Sequence, residues 1–474
     1  MTDPPESTPT PRTNLALWWH SEWGPQPLIS LALPLMISAG FMAITLFTDR
    51  TLLYWQSELS AAAATGGGTL YWLLICFPMG LLGYISTFVS QYRGAKNFAR
   101  IGVAYRHAWV LAWLLVPVFL LAIAIAGPFF RWAGHGPELA AMESAYLQVL
   151  LVGGIGFLFY CVQSGLLTGQ GKTTTVLALD GLATIVNLVL DAVLIFGFGP
   201  IPAMGIVGAA IATSASFWIK VPLAGWIIAR DPVSNHYLAR NSTQVWERDM
   251  FRRLFVYGAP AGLQLLAEAG CFSVIMLQVG SLGEFQLAAT SLALGINVLA
   301  FVPMIGLGIG VGVMVGQRLT EGRVDLARRT VACGLAMTST YTALFAFALW
   351  IAPEAMVAIY AWGSHAERFE RIQPLLQPLL RIIVFYCIFD GLQVVFVGAI
   401  KGAGDTWFVL IATAVISCTA VILGLISERL FGASLLLWWY VIASWVTTMG
   451  LVFALRFFSG RWEEKRVIER STEH

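Results

Sequence analysis

Charge is scarce in this 474-residue sequence: Asp, Glu, Lys and Arg together make up 11%, and the net charge is only +2. The Lys and Arg form no dense patch of the kind phosphate binding needs, which argues against nucleic acid as a partner. Cysteine is equally sparse. The six residues at positions 76, 161, 271, 333, 387 and 418 stand singly in apolar runs without CxxC spacing. They read as small buried hydrophobes, not as disulfides or thiolate ligands. None of the six His falls mid-span or at ligand spacing from a Cys or an acid, so neither a structural metal nor a cofactor is expected. With no nucleophile or metal cluster at mid-span, enzyme chemistry is not expected either. The first 27 residues are polar and rich in Pro and Thr, and no charged segment leads into a short apolar stretch with a cleavage site. A removable signal peptide is therefore not predicted.

Apolar surface is abundant instead. Hydrophobic residues make up 58% of the chain and the mean hydropathy is +0.76, which points to an integral membrane protein. A bilayer core about 30 Å thick needs about 20 mostly apolar residues per helix. Twelve such spans start near Leu28, Leu70, Ala108, Ala145, Val176, Gly205, Phe255, Thr290, Val331, Leu379, Thr406 and Leu435. Short cytoplasmic loops accumulate Lys and Arg. With both termini inside, the inner segments hold 21 of the 28 Lys and Arg and the outer segments six, with Lys220 near the inner end of span six.

Short strings recur across the chain. Pro34 and Pro260 are 226 residues apart, and so are Glu58 and Glu284. FPMGLLGYISTFVSQ from Phe77 is echoed by FVPMIGLGIGVGVMVGQ from Phe301, and Ala99-Arg100 by Ala327-Arg328. GLLTGQGKT from Gly165 recurs as GAIKGAGDT from Gly398, at an offset of 233. Six spans per half is an even number, so both halves enter the membrane in the same direction. The predicted architecture is all-α and membrane-integral, with twelve transmembrane helices in two six-helix lobes related by a pseudo-twofold axis along the membrane normal. Residues 1–27 form an N-terminal tail, 28–228 the first lobe, 229–254 a connecting loop, 255–458 the second lobe and 459–474 a C-terminal tail. Parallel repeats with a shared midplane site are a standard secondary-transporter design.

A carboxylate at the centre of a membrane helix costs about 2.5–3.5 kcal/mol even on insertion scales. Five acids therefore stand out: Asp49, Asp180, Asp191, Glu268 and Asp390. In span five, Asp180, Asn187 and Asp191 are spaced i, i+7, i+11 and share one helical face, which must point into a cavity. Gln264 and Glu268 share a face of span seven, as do Asp390 and Gln393 of span ten. The acids break the repeat, since Glu268 falls opposite Met42 and Asp49 opposite Ile275. Burial disfavours the ionised form of a carboxyl group, so such acids can load and release protons, and several converging oxygens can instead hold Na⁺.

Three other features carry less. GQGKTTT at residues 169–175 lacks the Gly that a phosphate-binding loop needs at position 166, which is Leu. GIGVGVMVG at 308–316 lies inside span eight, where small residues permit close helix packing. The Trp438-Trp439 pair reads as part of an interfacial aromatic belt.

PLMISAGFMAITLFTDR in span one, FPMGLLGYISTFVSQYRGAKN around span two, and GQGKTTTVLALDGLATIVNLVLDAVLIFGFGPIPAMGIVGAAIAT across spans five and six follow in order. GAPAGLQLLAEAGCFS in span seven and FDGLQVVFVGAIKGAGDT at span ten complete the set. In this order the chain resembles the multidrug and toxic compound extrusion (MATE) family, and its NorM-like branch, over about residues 25–460. The resemblance implies a V-shaped pair of six-helix lobes in a bacterial inner membrane. It implies export of cationic or amphipathic organic compounds in exchange for inward-moving H⁺ or Na⁺, without a cofactor and with a monomer expected. By matching positions, Glu268, Asp390, Asp49, Asp191 and Asn187 would take part in cation coupling, with Na⁺ held at Glu268 and Asp390 if Na⁺ is the ion. Asp180, Gln264 and Gln393 would support them. Arg50 departs from the family pattern, because a fixed positive neighbour competes with any cation at Asp49. The alternative within the superfamily is a flippase for a lipid-linked saccharide, which would want mid-span Arg.

Overall fold

The computed structural model describes residues 19–22, 24–239, 246–351 and 366–469. The first eighteen residues of the N-terminal tail lie outside these, as do Arg240, Arg470, His365 and His474. Among the described residues, twelve helices are long and apolar enough to cross a bilayer. Spans one to six are Gln26–Gln56, Glu58–Gly94, Phe98–Trp132, Pro137–Gly169, Thr173–Phe196 and Gly205–Arg230. Spans seven to twelve are Arg248–Ser281, Glu284–Thr320, Val324–Ile351, Arg371–Ala403, Thr406–Phe431 and Leu435–Phe458.

All twelve predicted spans are present, but several begin earlier than their hydropathy suggested. Span two starts at Glu58, not near Leu70, because the weakly apolar stretch Ala61–Gly68 is still helical. The Ser57 hydroxyl caps it by accepting from the Leu59 and Ser60 amides at 3.2 and 3.4 Å. The helix of span ten begins at Ala366 and runs through Pro374 and Pro378, positions that a sequence reading takes as breaks. Span two breaks at Tyr84, between Gly83 and Ile85. The turns after spans four and ten need a left-handed residue and have one at the same repeat position, Gly171 (φ +80°) and Gly404 (φ +108°).

The two halves are laced together symmetrically. Leu28 and Ala32, at the start of span one, belong to the core of the second half. Their counterpart Leu254, at the start of span seven, belongs to the core of the first. On the basic side of mid-span, a Cβ on Gly80 would come within 2.6 Å of the Ala261 carbonyl, and one on Gly306 within 2.6 Å of the Leu35 carbonyl. Both pairs are related by the repeat offset of 226, so spans two and seven touch as spans eight and one do.

The glycine run of span eight packs as predicted. Gly308, Gly312 and Gly316 face Gly398 and Gly402 of span ten, and a Cβ on Gly312 or Gly316 would lie 2.8 or 2.9 Å from the Gly398 or Gly402 carbonyl. Backbones this close exclude any side chain between them.

Two expectations are corrected. Trp438 and Trp439 are fully buried, and the Trp439 indole N–H donates to Thr290 Oγ1 at 3.1 Å. They are core residues of the second half, because span twelve turns this face inward instead of toward the interface. Cys418 is exposed and Cys333 half-buried, while the other four cysteines are buried. In a membrane protein an apolar stretch faces lipid as readily as core.

At the Arg- and Lys-rich end, the chain after span twelve crosses back over both halves. Trp462 stacks on Phe457 with ring centroids 4.9 Å apart. Arg466 donates to the Leu319 carbonyl at 3.0 Å, and the Val467 amide donates to Gln91 Oε1 at 2.9 Å. Glu469 meets Arg100 at 2.9 Å, Arg253 at 3.2 Å and the Tyr92 hydroxyl at 2.9 Å. Burial alone would push the Glu469 carboxyl up, but a backbone amide and the Arg100 and Tyr92 side chains outweigh it and hold it below its ordinary value of 4.5. A depressed carboxyl stabilises the fold above its unfolded value, and that contribution disappears as pH falls through the folded value. Glu469→Gln is therefore expected to lower the thermal unfolding midpoint at neutral pH. The loss should be modest, since partly exposed pairs are worth about 0.2–1 kcal/mol each. As pH falls below 4.5 and through the depressed folded value, the difference between variant and parent should shrink.

Candidate functional site

Spans one, five and six bring four polar residues together inside the first half. Asp49, Asn187 and Asp191 are buried, at 5%, 0% and 0% exposure. The Thr213 hydroxyl donates to Asp49 Oδ2 at 3.1 Å, and Asn187 Nδ2 reaches Thr213 Oγ1 at 3.4 Å. The Asp49 and Asp191 carboxyl groups lie against each other. Arg50 is exposed, on a different face of the helix from buried Asp49.

Four oxygens of this group, Asp49 Oδ1, Asn187 Oδ1 and both of Asp191, are buried without a hydrogen-bond partner. A buried polar atom left unpaired costs about 1–3 kcal/mol, so such a set is stable when something positive sits among it. The donor set is all oxygen, which suits a proton shared between two carboxyls or a hard monovalent cation and offers nothing to a soft metal. Among the described residues no cluster of three or more His, Cys, Asp or Glu has metal-site geometry.

Asp180 lies on the predicted face of span five but in a separate cluster. It is seven residues from Asn187, about 10 Å along the helix. It accepts from Tyr160 at 2.8 Å, from Lys220 Nζ at 3.2 Å and from Ser38. Lys220, 7% exposed, also sits 4.1 Å over the Tyr160 ring. This carboxylate already has an internal cation.

In the second half, Gln264 Nε2 donates to Glu268 Oε1 at 3.0 Å, so the predicted shared face is a direct contact. Gln264 Oε1 accepts from Lys401 Nζ at 3.0 Å. Asp390 is buried at 6% exposure and within electrostatic reach of Glu268. Gln393 turns instead to span twelve, where its amide meets Met449 Sδ at 3.3 Å.

Sequence reasoning missed Thr213, Ser38, Tyr160 and the paired roles of Lys220 and Lys401. A lone hydroxyl or phenol in an apolar helix carries no signal of its own. Lys401 did carry one: at offset 233 it falls opposite Thr168, so it breaks the repeat as the acids do. An unpredicted contact joins His135 Nδ1 to Glu143 Oε2 at 2.5 Å, outside these clusters. An apolar groove of about 600 Å³ opens between spans one, eight and nine, lined by Met36, Met304 and Met337 among others. None of the acids lines it.

Two six-span halves inserted in parallel, each with its own buried acids, define a membrane transporter of the duplicated class. The MatE family model matches residues 34–193 and 260–426. The chain belongs to the MATE family of efflux transporters. It is 30% identical over 393 residues to the multidrug resistance protein MdtK of Edwardsiella ictaluri, covering 80% of this chain and 82% of that one. With the probable multidrug resistance protein NorM of Deinococcus radiodurans it shares 29% identity over 436 residues, 91% of this chain and 94% of the other. Among solved structures, the outward-facing conformation of a multidrug resistance MATE transporter superposes with a TM-score of 0.83 at 20% identity, covering 94% and 98%. A MATE protein in complex with MaL6 gives 0.83 at 18%, covering 93% and 97%.

Proposed function

We propose that this protein is a secondary antiporter of a bacterial inner membrane, with both termini in the cytoplasm. It exports cationic or amphipathic organic compounds in exchange for H⁺ or Na⁺ by alternating access, as a monomer. The observation that carries the reading is the buried set Asp49, Asn187, Asp191 and Thr213, with four oxygens lacking a partner. Relatives named for multidrug resistance point to organic substrates and not to a lipid-linked saccharide. No bond-breaking chemistry is needed, since the groups present suit reversible cation binding.

The inter-lobe contacts described above lie on the basic side: residues 31–36 of span one and 77–94 of span two. We read this as an outward-facing arrangement, sealed toward the cytoplasm. Cation entry from outside would then favour the inward-facing state, and substrate binding from inside would favour return. One charge crossing 100 mV contributes about 2.3 kcal/mol, enough to drive this cycle.

Uptake of a fluorescent cationic dye into proteoliposomes, under separately imposed H⁺ and Na⁺ gradients, tests the reading and identifies the ion. Glu268→Gln and Asp390→Asn are each expected to reduce gradient-driven efflux by at least about tenfold, comparable to losing about 1.4 kcal/mol of coupling. Intact efflux in both would remove the second half's acids from the coupling machinery.

A further inference from the structure

We propose that Lys401 is a positioning residue that transmits cation occupancy at Glu268 to the cytoplasmic seam between the lobes. The inference rests on the antiport reading above. Lys401 lies in the last turn of span ten, and its two ends face different halves of the molecule. Its side chain belongs to the second half: Nζ donates to Gln264 Oε1 at 3.0 Å, and Gln264 Nε2 donates to Glu268 Oε1 at 3.0 Å. An amide held between an ammonium and a carboxylate is oriented from both sides, so the three groups act as one chain.

Its main chain is held by the first half. The Tyr84 hydroxyl donates to the Lys401 carbonyl at 2.7 Å. Gln91 Nε2 donates to the next two carbonyls, Gly402 at 2.9 Å and Ala403 at 3.3 Å. These carbonyls end the helix, where intrahelical donors run out, so side chains from the opposite lobe complete the cap. Tyr84 sits at the break in span two, and Gln91 also accepts from the C-terminal strap through Val467. The glycine contact between spans eight and ten lies immediately before this turn and leaves it little room to shift independently.

The consequence is mechanical. When a monovalent cation occupies Glu268, the carboxylate no longer draws on the Gln264 amide, and the Lys401 ammonium loses the charge that balances it. A half-buried ammonium that loses its counter-charge is drawn toward water. Its movement carries the last turn of span ten, and with it the carbonyls that Tyr84 and Gln91 hold. The seam then opens on the cytoplasmic side. The repeat mate of Lys401 is Thr168, so this device exists in one half only.

The test uses the full-length protein in proteoliposomes, with spin labels on Ala95→Cys and Glu321→Cys across the seam, in a background without the native cysteines. In the parent, adding Na⁺ at fixed pH, or H⁺ at fixed Na⁺, is expected to lengthen the label distance for the coupling ion. Lys401→Met should abolish this lengthening and lower cation-driven efflux at least about fivefold, the low end of usual coupling factors. Equilibrium dye binding should stay within about twofold, because the link is lost and not the substrate site. Lys401→Arg should restore most of the response, and Gln264→Leu should reproduce the Met variant even if that variant folds poorly. A Lys401→Met protein that lengthens like the parent overturns the proposal. A parent that responds to neither cation overturns the antiport reading itself, and this inference with it.

Discussion

Asp191→Asn should lower gradient-driven efflux by at least about a hundredfold while the protein still folds and binds dye. Breaking one partner out of a buried charged group costs about 3–5 kcal/mol. At about 1.4 kcal/mol per decade, that exceeds a hundredfold in cation affinity. Asn keeps the shape and one oxygen, so the loss reports charge and not volume. Asp49→Asn should be equally severe, because its carboxyl lies against that of Asp191 and accepts from Thr213. The double variant should be no worse than either single one, since the two acids serve one ion and their effects cannot add. Asp180→Asn provides the contrast: it strands Lys220, so it should reduce the yield of folded protein and leave the cation dependence of whatever folds unchanged. Additive losses from Asp49→Asn and Asp191→Asn in the dye-efflux assay would mean that the carboxyls act separately.

The second large effect is steric. Gly312→Ala is expected to lower stability by about 1–3 kcal/mol, the usual cost of overpacking, because its new methyl group would lie 2.8 Å from the Gly398 carbonyl. A carbonyl in a packed helix cannot step aside as a flexible side chain can. Gly40→Ala is the matched control: nothing lies within 4 Å of the added carbon. The same chemical change there should be neutral or stabilising by about 0.5–1 kcal/mol, since Ala is the better helix former. Thermal unfolding in detergent compares the two directly, and equal midpoints would mean that spans eight and ten are less tightly joined than their geometry indicates.

The two glycines differ already in the sequence, and this shows what could be read there. Periodic runs such as GIGVGVMVG announce close packing, whereas an isolated Gly gives no hint of what lies opposite it. Span number and the parallel repeat were legible for a similar reason: hydropathy and duplicated strings are properties of the chain itself. Trp438 and Trp439 were misread because an aromatic pair near a span end looks the same whether it faces lipid headgroups or a neighbouring helix. Helical period put Asp180 on the face of Asn187 and Asp191, but only the fold could supply Lys220 from another span. Lys401 was the avoidable miss, since the asymmetry test that singled out the acids selects it too.

The symmetric contacts at Leu35, Gly80, Ala261 and Gly306 have one further consequence. An interface in which i touches j, and the mate of i touches the mate of j, is isologous, the form that a twofold homodimer requires. The seam inside this single polypeptide is thus a dimer interface whose two protomers happen to be covalently fused. Identical protomers cannot place an acid on one side alone. Fusion removes that restriction, and Glu268 opposite Met42, or Lys401 opposite Thr168, are substitutions that only a fused dimer can hold.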